Sequence, residues 1–86
     1  MAQVEIYTQW GCPYCVRAKA LLDSKGVQYT EYDVTMDSKK RAEMVDRKPD
    51  ARTVPQIFID GVAYGGSDDI HALDRAGKLD AALGIR

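Results

Sequence analysis

Two strand-like runs on either side of one helical run constrain this chain most. Val4-Glu5-Ile6-Tyr7 alternates and is β-branched or aromatic at most positions, which predicts a first strand. From Cys12 the pattern changes: Pro13 stands where a first helical turn begins, and Val16, Ala18, Ala20, Leu21 and Leu22 continue a helix that Gly26 stops. Val27 to Val34 alternates again and predicts a second strand. A helix of this length between two strands lets them lie parallel, joined by a right-handed crossover.

Asp37 to Lys48 is polar apart from Ala42, Met44 and Val45, with Met36 just ahead of it, and predicts a surface helix ended by Pro49. Gln56-Ile57-Phe58-Ile59 predicts a third strand, Asp60-Gly61 a turn, and Val62-Ala63-Tyr64 its hairpin partner. Gly65-Gly66 breaks the pattern before Ser67, the expected cap of a helix carrying Ile70 and Leu73. Gly77 ends that helix, and Leu79, Ala82 and Leu83 give a last short one. The expected order is β-α-β-α-β-β-α-α, an α/β chain with one four-stranded mixed sheet and flanking helices. No repeat, linker or compositional break divides it, so residues 1–86 are expected to form a single domain. A chain this short buries roughly 60 to 65% of its unfolded surface, so a thin core is expected.

Twelve Lys and Arg against thirteen Asp and Glu give a net charge of −1, which argues against partners held by a broad basic field, nucleic acid or anionic lipid. Met1 to Glu5 lacks the basic and apolar segments of a secretory signal, and no apolar run approaches the roughly 18 residues of a membrane span. A cytoplasmic location is expected. The chain has only two cysteines, Cys12 and Cys15, three positions apart. A bridge between them closes a tiny ring and does little to constrain an unfolded chain, so their use is expected to be chemical.

With Pro13 as the first helical residue, Cys12 is the cap, and the unpaired N–H groups of the opening turn point toward its sulfur and favour a thiolate. Arg17 and Lys19 are expected to add positive charge with no adjacent carboxylate to cancel it. Cys12 is then the exposed nucleophile, and Cys15, one turn on and facing the sheet, is placed to attack a mixed disulfide formed by Cys12. Three other readings of the pair are an inert buried pair, half of a zinc site, and a cluster shared between two chains. His71 is the only histidine and there is no third cysteine, so a zinc ligand set is incomplete.

Thr53-Val54-Pro55 leads into the third strand. It reads either as a plain strand-entry turn or as a cis proline that turns the Val54 backbone outward, beside the cysteines, to pair with an extended peptide. Gly65-Gly66-Ser67-Asp68-Asp69 reads either as a turn and ordinary helix cap or as a site for a ligand with both charges on one carbon. In that site the N–H groups of Ser67 and Asp68 take the carboxylate and the Asp68 side chain takes the ammonium.

Tyr7-Thr8, Cys12-Pro13-Tyr14-Cys15, Ala18-Lys19, Leu21-Leu22, Lys25-Gly26, Thr53 to Ile59, Gly65-Gly66 and Asp68-Asp69 recur together. With these residues the chain resembles the glutaredoxins, of the small dithiol bacterial type, over essentially its whole length. The resemblance implies a thioredoxin-like fold and a glutathione-dependent thiol–disulfide oxidoreductase that reduces protein disulfides and glutathione mixed disulfides. It makes Cys12 the nucleophile, Cys15 the resolving thiol and Pro55 a cis proline. Matched by position, Tyr14 shapes the thiol groove and Thr53 flanks it. The Val54 backbone pairs with the cysteinyl part of glutathione, and Gly66, Ser67 and Asp68 receive its γ-glutamyl end. Glutathione is then a cosubstrate, with no tightly bound cofactor and no metal expected, and a monomer is expected. Partners are disulfide-bonded or glutathionylated proteins; ribonucleotide reductase is permitted by the resemblance.

Two departures stand out. Gln9 occupies a position where many relatives carry Lys or Arg, so a partner for the glycine carboxylate of glutathione is missing unless Arg17, Lys19 or Arg52 replaces it. Ala63-Tyr64 replaces a frequent His and aliphatic residue and is expected to alter the groove rim. Trp10 reads equally as an exposed substrate contact or a packed loop aromatic. Alternative functions are a glutaredoxin-shaped donor reduced by thioredoxin reductase, an iron–sulfur carrier bridged by two glutathiones, and a binding module without chemistry. Pro13 stiffens the loop that a cluster has to open.

Overall fold

A computed structural model describes residues 2–85; Met1 and Arg86, the ends of the expected domain and, for Met1, of the segment read for a secretory signal, lie outside the described residues. The elements are β1 (Val4–Thr8), α1 (Pro13–Ser24), β2 (Thr30–Asp33), α2 (Ser38–Arg47), β3 (Gln56–Ile59), β4 (Val62–Gly65), α3 (Ser67–Arg75) and α4 (Leu79–Leu83). Their order is the expected one. They build a thioredoxin-like four-stranded sheet, β2-β1-β3-β4, in which β1 pairs parallel with β2 and antiparallel with β3, and β4 pairs antiparallel with β3.

Central position explains the run of apolar residues in β1 and β3, every one of which is buried. Val4, Ile6, Ile57 and Ile59 pack one face against Ala18 and Leu22 of α1, Ile70 of α3, and Leu79 and Leu83 of α4. Tyr7 and Phe58 face the other way, onto Met44 of α2 and Val34. Lys25, just past α1, ties this helix to the last two: its Nζ lies 2.6 Å from Asp74 and 2.8 Å from Asp80.

Three boundaries differ from expectation. β2 is Thr30–Asp33 rather than Val27–Val34, because its pairing with β1 runs only from Glu5↔Thr30 to Thr8↔Asp33. Val27 and Val34 are instead buried anchors on opposite sides of the sheet, and the Val34 N–H donates to the Thr8 carbonyl at 2.8 Å. Hydrophobic alternation therefore ran past the hydrogen-bonded strand. Asp37 is the cap of α2 rather than its first residue, its carboxylate accepting the Lys40 N–H at 3.0 Å. Ser67 is likewise not the cap of α3. Gly66 is, and the Asp69 carboxylate accepts its N–H at 2.9 Å.

Among the described residues, no helix is long and apolar enough to cross a membrane.

Candidate active site

The β1–α1 junction places both cysteines. Pro13 opens α1, so Cys12 is its N-cap, with extended backbone at φ −95° and ψ 109°. Its Sγ accepts the Cys15 N–H at 3.2 Å, the bond a Ser or Asp oxygen makes at an ordinary helix cap. The same thiol points its proton at the Val54 carbonyl oxygen, 3.8 Å away. Cys12 is half-buried and Cys15 buried, both as free thiols. Burial, reinforced by the hydrogen bond with Cys12, pushes the Cys15 thiol up to about 12, so it keeps its proton near neutrality. The cap position thus exposes one sulfur and the helix face hides the other.

The Val54–Pro55 peptide bond is cis. All seven residues expected to bind the donor, Tyr14, Thr53, Val54, Pro55, Gly66, Ser67 and Asp68, line one groove of about 380 Å³. Gln56, Gly65 and Asp69, which belong to the same two sequence blocks, line it too, and so does Lys48, which sequence reading had not selected. Lys48 is the one cation among these lining residues, its Nζ 3.0 Å from Asp50. Its only signal in the sequence is a lysine shortly before the Thr53-Val54-Pro55 block. Ser67 and Asp68 stand in the first turn of α3, whose N–H groups face no acceptor within the helix. The Asp68 carboxylate is 84% exposed and 4.0 Å from Arg17, open to a ligand.

Cys12 and Cys15 lie in an adjoining groove of about 480 Å³ with Thr8, Trp10, Lys19, Glu31 and Asp33. Trp10 is 83% exposed, which settles it as an open indole rather than a packed one.

Two sequence expectations need correction. Arg17 and Lys19 do not stand free of carboxylates: Lys19 donates to Glu31 at 3.0 Å, and Arg17 lies beside Asp68. The parallel β1–β2 pairing brings Glu31 to α1, and the packing of α3 on α1 brings Asp68, neither of which local sequence reveals. Ala63 and Tyr64 are not among the residues that line the groove of Tyr14 and Val54. Ala63 is exposed on β4 and Tyr64 packs against the core. Gln9, meanwhile, accepts a hydrogen bond from Arg41 at 3.2 Å, so α2 brings a positive charge to this position.

The glutaredoxin family model matches residues 4–63, a stretch that runs through the cysteine pair, the cis proline and β3. The chain belongs to the glutaredoxin family. Glutaredoxin 3 of Escherichia coli K12 is 55% identical over 83 residues, covering 96% of this chain and 99% of that one. The solution structure of glutaredoxin from Brucella melitensis superposes with a TM-score of 0.84 at 50% identity, covering 99% of this chain and 91% of that one. The crystal structure of a buckwheat glutaredoxin–glutathione complex superposes at 0.86 with 30% identity, over 96% and 77% of the two chains. As a glutaredoxin the chain is a thiol–disulfide oxidoreductase working through a dithiol, with Cys12-Pro13-Tyr14-Cys15 as the matching motif. Among the described residues, no group of three or more His, Cys, Asp or Glu is placed to hold a metal ion.

Proposed function

We propose that this glutaredoxin takes electrons from glutathione and uses them to reduce protein disulfides and glutathione–protein mixed disulfides. The observation that carries the reading is the single groove shared by Tyr14, the Thr53-Val54-Pro55 turn and the Gly66-Ser67-Asp68 helix start, beside the accessible Cys12 sulfur. Cys12 attacks as a thiolate, leaving a mixed disulfide, and Cys15 resolves it. The γ-glutamyl end of glutathione carries ammonium and carboxylate on one carbon. Its carboxylate meets the first-turn N–H groups of Ser67 and Asp68 with Gly66 giving close approach, and its ammonium meets the Asp68 carboxylate. The cysteinyl backbone pairs with Val54, Tyr14 and Thr53 flank it, and Lys48 is the groove's cation for the glycine carboxylate. Residues 1–86 act as one monomeric domain in a reducing compartment, the cytoplasm. Its partners are disulfide-bonded or glutathionylated proteins, with ribonucleotide reductase a disulfide substrate of the right chemistry.

A coupled assay with glutathione, its NADPH-dependent reductase and a small glutathione mixed disulfide tests donor and chemistry together. Turnover is expected with glutathione reductase; turnover only with thioredoxin reductase would move the chain to the other donor class.

Asp68→Ala removes the ammonium partner and leaves both thiols. The KM for glutathione is expected to rise about tenfold, the scale of one lost charged hydrogen bond at an open site. Alkylation of Cys12 by a small neutral reagent should keep its rate. Unchanged glutathione kinetics in the variant would remove Asp68 from the site.

A further inference from the structure

The adjoining groove holds a charged cluster that the proposed function does not use. Cys15 and Lys19 are four residues apart on α1 and so lie on one face of the helix. Cys15 is 2% exposed, yet it lines the groove together with Cys12, Lys19, Thr8, Glu31 and Asp33. The Glu31 carboxylate is fixed from two sides: Lys19 Nζ donates to it at 3.0 Å and the Thr8 hydroxyl at 2.7 Å. The pair is only partly open to solvent, with side-chain exposures of 30% and 36%, so its charges are less screened than those of a surface pair.

We propose that Lys19, held in place by Glu31 and Thr8, is a positioning residue for the resolving step, its ammonium favouring the thiolate of Cys15. The inference rests on the reading of Cys15 as the resolving thiol. In that step Cys15 must lose its proton before its sulfur attacks. The proton passes to water in the groove, the Cys15 sulfur bonds to Cys12 Sγ, and the bond between Cys12 and the substrate sulfur breaks. The substrate thiolate leaves with that electron pair and takes a proton from water, so the exchange balances with no outside oxidant or reductant.

Burial is the main obstacle, since it holds the Cys15 proton on. The groups that face Cys15 divide between those that worsen and those that relieve this. From α1, Cys12 hydrogen-bonds it and holds the proton while both thiols are free, a hold that the mixed disulfide on Cys12 weakens, whereas Lys19 favours its release. From the end of β1, the Gln9 backbone N–H also favours the thiolate. From β2, Glu31 and Asp33 line the same groove and oppose the thiolate with their negative charge; Glu31 turns its Oε2 to both Lys19 and Thr8, and Asp33 accepts the Thr35 N–H at 2.8 Å. Lys19 is thus the cation on the Cys15 side of the pair. A lysine that is free to swing would leave the groove, which gives the Glu31 contact its purpose.

The test uses the full chain and separates two activities. Lys19→Gln is expected to slow reduction of a protein disulfide about threefold at neutral pH, displacing the rate–pH profile upward by about half a unit. Lys19→Arg should restore both. In a Cys15→Ser background the same Lys19→Gln change should leave deglutathionylation of a small mixed disulfide unchanged, because that route never uses Cys15. Thiolate absorbance of Cys15 in a Cys12→Ser background gives a direct reading, with a higher midpoint expected in Lys19→Gln. A Lys19→Gln profile that superposes on the parent overturns the proposal. So does an equal loss in the Cys15→Ser background, which would assign Lys19 to Cys12 or to substrate binding. If Cys15→Ser alone leaves protein-disulfide reduction intact, the resolving role itself fails and this inference falls with it.

Discussion

Replacing Cys12 with Ser is expected to bring both protein-disulfide reduction and deglutathionylation down to background, whereas replacing Cys15 with Ser should separate them. The asymmetry follows from the helix start. Cys12 is the cap, its sulfur facing the Cys15 N–H and the Val54 carbonyl at the edge of the donor groove. A serine there keeps the cap and loses the nucleophile, so the fold survives without chemistry. Cys15 is buried, with its proton held up to about 12, and cannot serve as the first attacking group near neutrality. It can attack only a disulfide already formed on its neighbour. Without it, a protein substrate stays attached to Cys12, while a glutathione mixed disulfide is still cleared by a second glutathione from solution. Deglutathionylation by Cys15→Ser is therefore expected within a few-fold of the parent. Mass spectrometry of Cys15→Ser incubated with an oxidised protein should find the covalent adduct. A Cys12→Ser protein that retains either activity would contradict this assignment, as would a Cys15→Ser protein that neither traps partners nor removes glutathione.

Much of this was legible in sequence because the informative signals are local. The apolar run Ile57-Phe58-Ile59, the Asp60-Gly61 turn and the helix opened by Pro13 each depend on residues within one element, and the structure places them as expected. The expected donor residues also converge, since they sit in three short blocks whose separation in sequence is bridged by the sheet order. What local reading missed is pairing between elements. Nothing around Lys19 announces Glu31, which lies twelve residues on and arrives only through the parallel register of β1 and β2. Arg41 reaching Gln9 and Lys48 entering the donor groove depend in the same way on where α2 docks. The end of β2 failed for a related reason: Val27 and Val34 are apolar because they are buried, and burial extends beyond the ladder.

The largest stability effect is expected at another such contact, beneath α2. Glu5 sits in the middle of a central strand with its side chain only 12% exposed, and Arg47 from the end of α2 meets it with two nitrogens at 3.0 and 2.9 Å. Arg47 also donates to the Tyr7 hydroxyl at 3.0 Å and stacks over the Phe58 ring at 4.0 Å. Tyr7 in turn donates to Glu43, and Tyr32 donates to Glu5 at 2.9 Å, so one guanidinium joins α2 to the face of the sheet. Arg47→Met keeps apolar contact with Phe58 and leaves Glu5 charged, with the Tyr32 hydroxyl as its remaining hydrogen-bond donor and Lys40 as a cation that does not hydrogen-bond it. The cost is expected to be about 3 kcal/mol, the scale for breaking a largely buried ion pair by removing one partner. The Arg47 hydrogen bond holds the Glu5 carboxyl below its ordinary value, outweighing burial. The stability it contributes is therefore fully present above about pH 4.3, the ordinary glutamate value, and is lost as pH falls through the lower folded value. The difference between parent and Arg47→Met should accordingly shrink below that pH, where Glu5 takes up a proton and no longer needs a cation. Combining Arg47→Met with Glu5→Gln should recover much of the loss at neutral pH, since the uncompensated charge is gone. Urea unfolding of the parent, both single variants and the double variant at neutral and acid pH measures all of this. A neutral-pH loss below about 1 kcal/mol in Arg47→Met, or a loss that does not change with pH, would mean the pair is no more than a surface contact.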